Sequence, residues 1–133
     1  MNIITTEQIL ILHGLCIDVY GGDKTYRENT KQNIENIIDQ LYPKFGYDKY
    51  PCIYSKSAKL WYSLCKNHCF TDGNKRIATI TMLTMLDINK IELKIDEETL
   101  TNKTIEIATS KLNQNEIDNY IKELSEFLRG CEK

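Results

Sequence analysis

The sequence is 133 residues long, with 41% apolar and 27% charged side chains and a formal charge of −2. That length suits one domain over 1–133 with one core, and the composition excludes a disordered chain. The slight negative charge lacks the basic footprint of direct nucleic-acid binding, and no apolar run approaches the roughly 20 residues of a membrane span.

Five cysteines without regular spacing read as free thiols in a reducing cytoplasm, not as a disulfide framework. The first apolar run has no basic leader or small-residue cleavage site, so it reads as a helix and not as a signal peptide. Thr5 and Gln8 stand at capping-box spacing. Ile9, Leu12, Cys16 and Val19 then fall near one face, and Gly21-Gly22 stops the helix. Residues 21–29 are polar and read as a loop. A second helix, Gln32 to Leu41, carries Ile34, Ile37, Ile38 and Leu41 before Pro43 and Gly46 break it.

Ser55 or Ser57 is placed to cap a third helix that runs through Cys65 and buries Ala58, Trp61, Leu64 and Cys65. The fourth, Lys75 to about Asn89, is apolar nearly all round, the pattern of a central buried helix. Residues 91–95 alternate but have no partner strand, so they read as an extended connector. Asp96 caps a fifth helix reaching about Lys111, with Glu97 and Glu98 favouring its start by charge. Asn113 and Glu116 repeat the capping-box spacing for a sixth, with Ile117, Tyr120, Ile121, Leu124 and Leu128 as its stripe and Gly130 as its stop. The expected fold is all-α, a compact bundle of about six helices around a central buried one.

Residues 68–76, HCFTDGNKR, join the third and fourth helices. Free N–H groups and the dipole at a helix start attract anions. Gly73 permits close backbone approach, and Lys75 and Arg76 add phosphate donors. Asp72 suits a Mg²⁺ bridging phosphates. His68 has the pKa range of a general base. Phe70, an aromatic in a polar loop, is expected to anchor it in the core. The same residues also fit a plain polar turn capping a helix. His13 and Cys16, or Cys65, His68 and Cys69, match no common zinc spacing, and His13 is expected to pack or hydrogen-bond near this loop. Trp61 and Tyr62 read as core or rim aromatics. Arg27 and Glu28 suit either a loop ion pair or a target-binding flap.

The stretch resembles the signature of the Fic/Doc superfamily, His-x-Phe-x-(Asp/Glu/Asn)-(Gly/Ala)-Asn-(Gly/Lys)-Arg, and fills every specified position. Residues 12–36 resemble the Doc-type segment, with a Leu-His pair, a Gly-Gly and an Arg followed by an acid. Residues 50–64 resemble the Tyr-Pro and Lys-Ala helix before the signature. Lys75, where adenylyl-transferring members have glycine, and Thr79, where they carry a second arginine, point to the Doc-like (death-on-curing) toxin branch. Thr25 stands where a third glycine is frequent, and Cys69 where proline is frequent.

The resemblance implies a toxin paired with an antitoxin, which moves the γ-phosphate of ATP to a Ser or Thr hydroxyl of a protein such as elongation factor Tu. His68 would be the base and Asp72 the Mg²⁺ ligand. Gly73, Asn74, Lys75 and Arg76 would bind the nucleotide, and Thr25, Tyr26 and Arg27 would belong to a target-binding flap. Lysine in place of glycine would fill part of the anion pocket and reverse how the nucleotide lies. Adenylyl transfer on the same scaffold and a non-catalytic Fic-like binding module are the alternatives.

Overall fold

The capping box at Thr5 forms as its spacing predicts. Its hydroxyl accepts the Gln8 N–H at 3.2 Å, and Gln8 Oε1 accepts the Thr5 N–H at 2.8 Å. It opens the first of six helices in a computed structural model that describes residues 1–133: α1 Thr6–Tyr20, α2 Thr30–Asp39, α3 Ile53–Lys66, α4 Asn74–Asp87, α5 Glu97–Thr109 and α6 Gln114–Gly130. The fold is all-α. No helix is long and apolar enough to cross a membrane.

The buried face of α1 is Ile9, His13, Cys16 and Ile17. Val19, expected on that face, is exposed, because the true stripe runs through the histidine instead. Helix α2 buries Ile34, Ile37 and Ile38 as its pattern predicts. Helix α3 is capped by Cys52, not by Ser55 or Ser57. Ser55 acts as the third-position partner, its N–H reaching Cys52 Sγ at 3.4 Å and its hydroxyl accepting the Cys52 N–H at 3.1 Å.

The central helix is α3 rather than α4. It buries Lys56–Ala58 and Leu60–Cys65 and packs against α2, α4, α5 and α6. On α4, Thr79, Ile80, Leu83 and Thr84 remain only half-buried, and α4 packs against three helices, α1, α3 and α5, where α3 packs against four. Apolar periodicity records what a helix is able to bury and not which neighbours arrive to cover it. Trp61 is fully buried and donates its indole N–H to Thr104 of α5 at 3.3 Å, so its polar atom is satisfied inside the core.

Twenty-five buried residues form one contiguous cluster. Residues 91–95 are a connector without a strand, yet they find a partner in the last residues. The Lys94 N–H donates to Cys131 O at 2.6 Å and the Lys133 N–H to Glu92 O at 3.0 Å. Helix α6 runs through Gly130 and is capped by Cys131, one residue past the expected stop.

Candidate functional site

The loop between α3 and α4 is held from below by α1. Phe70 is 1% exposed. The His13 ring lies flat on it, centroids 3.8 Å apart and planes within 8°. His13 Nε2 sits 2.9 Å from the Asp72 carbonyl oxygen. A carbonyl only accepts, so Nε2 carries the proton. Asn74 closes the loop on itself. Its Oδ1 accepts the Phe70 N–H at 3.0 Å and its Nδ2 donates to Phe70 O at 2.9 Å. Its side chain thus braces the loop from the first residue of α4.

From above, residues 21–30 fold over the loop. Gly22 has φ 124°, which residues with a Cβ rarely adopt, and a Cβ there would also lie 2.6 Å from Asp72 Oδ2 and 3.0 Å from Ile17 Cδ1, so a substitution at this approach is strained. Tyr26 packs edge-on against Phe70 at 6.1 Å. The Arg27 guanidinium donates to the His68 carbonyl, and the Thr30 hydroxyl donates to Cys69 O at 2.5 Å. Thr25 turns back on Asp23 through its N–H at 2.8 Å and its hydroxyl at 2.6 Å, bonds that hold the Asp23 carboxyl below its ordinary value. Of the three suggested flap residues, Tyr26 and Arg27 therefore brace the loop and Thr25 shapes its own turn. Arg27 and Glu28 do not form an ion pair with each other.

The groups with chemistry lie outward. His68, Asp72, Lys75 and Arg76 are all exposed. His68 takes φ 45°, a left-handed conformation that costs a non-glycine residue about 1–2 kcal/mol. The Arg27 bond to its carbonyl supports that turn. Asp72 Oδ1 accepts the Gly73 N–H at 2.8 Å and Oδ2 the Asp23 N–H at 3.4 Å, leaving lone pairs free on both oxygens. Gly73, at φ 79°, is the N-cap of α4, and no side chain caps the helix. The Arg76 guanidinium lies over the Tyr20 ring, 4.2 Å from its centroid. Thr79 is turned away from this face, bonding Lys75 O at 3.0 Å and the Thr104 hydroxyl of α5 at 2.8 Å.

The nearby thiols are kept protonated. Burial pushes Cys65 up to about 12 against the pull of Lys75 and Lys66. Burial also raises Cys16 and Cys69, with Arg76 and Arg27 opposing. None of the three is a thiolate nucleophile at neutral pH. Two cavities, of about 370 and 510 Å³, lie elsewhere and include no residue of 68–76 in their walls. An anion held by a helix start and two cations needs no enclosed cavity, so the chemistry of the loop outweighs cavity size here.

The Fic/DOC family model matches residues 3–86. The chain belongs to the Fic/DOC family. It is similar to Toxin Doc of Mycolicibacterium smegmatis, 44% identical over 52 residues, which are 39% of this chain and 40% of that protein. The match thus spans about two fifths of the length of this curated relative. Within the family frame, sequence reasoning missed the bracing roles of Gly22, Arg27, Thr30 and Asn74. Gly22 had a readable signal in the Gly-Gly pair. The others act across 4 to 41 residues of chain through backbone atoms, which no side-chain pattern records.

Proposed function

We propose that this chain is the toxin half of a toxin–antitoxin pair and moves the γ-phosphate of ATP to a Ser or Thr hydroxyl of a target protein. The observation that carries the reading is the open start of α4. No side chain caps it, and Lys75 and Arg76 stand exposed beside it with His68 and Asp72 in the same loop. The first-turn N–H groups, an ammonium and a guanidinium make a donor set that fits a polyphosphate.

Asp72 fits Mg²⁺, since each carboxylate oxygen accepts only one N–H and keeps lone pairs outward. Bound there, the ion would neutralise phosphate charge. His68 accepts the proton of the target hydroxyl. That oxygen forms its bond to the γ-phosphorus, the bridging P–O bond breaks and ADP leaves. Arg76, oriented by Tyr20, opposes the charge on the transferred group. The loop's bracing by His13, Asn74, Tyr26 and Arg27 supports the role of positioning, which this chemistry needs most.

Two features favour the γ- over the α-phosphate. Lys75 stands where adenylyl transfer would need open space. Thr79, hydrogen-bonded to Thr104, supplies no second cation. The family likeness suggests elongation factor Tu as the kind of target, and an antitoxin as the second protein partner. The test is incubation with Mg²⁺, purified elongation factor Tu and ATP labelled at either the α or the γ position. Label from the γ position on a Ser or Thr is expected. Label from the α position would mean adenylyl transfer. No transfer to any lysate protein, with no ATP binding, would mean a binding module.

A further inference from the structure

We infer that His13 is a positioning residue, whose Nε2–H latches the Asp72–Gly73 peptide so that its N–H side faces the open start of α4. The consequence for ATP rests on the proposed function; the latch itself does not. His13 is 1% exposed, and one nitrogen of its ring is committed to the Asp72 carbonyl. No peptide bond in the chain is cis. In a trans peptide the C=O and the following N–H point in opposite directions. With the Asp72 carbonyl held inward on α1, the Gly73 N–H must point outward, and there it meets Asp72 Oδ1 at 2.8 Å. One bond beneath the loop therefore aims both an N–H and a carboxylate on its outer side.

The latch has a reason to exist. The peptide precedes a glycine at φ 79°, and glycine tolerates either sign of φ, so the peptide is free to flip unless something holds it. A flipped peptide would turn a carbonyl oxygen toward the anion site. Ile17, one turn along α1, closes the rest of the floor, 3.3 Å from where a Gly73 Cβ would lie. A leucine or phenylalanine at 13 would fill the same space without burying a polar ring. The choice of histidine is explained by its donor.

Nitrogen-15 spectra of the wild-type ring test the latch directly. In neutral His13 the proton is expected on Nε2; finding it on Nδ1 overturns the inference. His13→Phe keeps a flat ring on Phe70 but has no donor, and His13→Gln places an amide N–H near the position of Nε2. The Gly73 amide resonance is expected to move in His13→Phe and to return toward the wild-type position in His13→Gln. Mg²⁺·ATP affinity should fall about tenfold in the first and recover most of that in the second, the scale of one hydrogen bond. An unchanged Gly73 amide in His13→Phe, or equal displacement in both variants, overturns the latch. If His13→Phe does not fold, the tautomer and the His13→Gln amide decide. If wild type binds no ATP, the proposed function fails while the Gly73 amide still judges the latch.

Discussion

Helices α6 and α4 begin in opposite ways. At α6, Asn113 Oδ1 accepts the Glu116 N–H at 2.9 Å and Glu116 Oε1 accepts the Asn113 N–H at 3.1 Å, so the helix start is closed by its own side chains. At α4, the N-cap is a glycine and the asparagine beside it spends its amide on Phe70 instead. A side-chain cap contributes about 1 kcal/mol, so leaving α4 open sacrifices stability of that order. Helix α2 also lacks a side-chain cap, but its first residue, Thr30, donates to Cys69 O and serves the same loop. One helix start is arranged to hold the helix, the other to present free N–H groups beside two cations.

That contrast is broken or sharpened by substitution. The largest expected effect is from His68→Ala. Transfer should fall by roughly two to four orders of magnitude, with the melting temperature unchanged because the ring is exposed. A normally folded variant with wild-type transfer would remove His68 from the chemistry. Asp72→Asn should weaken ATP binding with Mg²⁺ by about tenfold, the order of one charged contact, and change metal-free binding less. Equal losses in both titrations would make Asp72 a helix-start acid only.

Lys75→Gly opens space at the α4 start. It should slow γ-phosphoryl transfer and admit some adenylyl transfer, read as the mass added to the target. Adding Thr79→Arg is expected to give little further gain, because that position faces Thr104 and not the loop. If the Lys75→Gly variant transfers only phosphate at the wild-type rate, Lys75 does not set nucleotide orientation. The smallest effect is from Asn113→Ala. It should cost about 1 kcal/mol, a few degrees of melting temperature, with transfer unchanged. A loss of transfer at constant fold would mean that the two helix starts do not divide their roles as described.

Much of the fold was legible because its signals are local. The capping boxes at Thr5 and Asn113 are i, i+3 patterns, and the stripes of α2 and α6 repeat within one helix. Cys52 escaped notice because a thiol is a weak acceptor and is seldom counted as a cap. The rank of α3 over α4 escaped because burial depends on which neighbours arrive. In the site, the outward groups His68, Asp72, Lys75 and Arg76 were readable from nine residues. The braces were less so. His13 meets Asp72 across 59 residues and Arg27 meets His68 across 41, and both bond to carbonyl oxygens, which every residue possesses. His13 was placed near the loop by sequence, but its partner was not.

The open start of α4 is tested most directly by amide spectra during an ATP titration in the presence of Mg²⁺. The N–H resonances of Asn74, Lys75 and Arg76 should shift together and saturate, while those of Gln114, Asn115 and Glu116 at the capped start of α6 stay still. Saturable shifts confined to other surfaces, with residues 74–76 unmoved, would contradict the account.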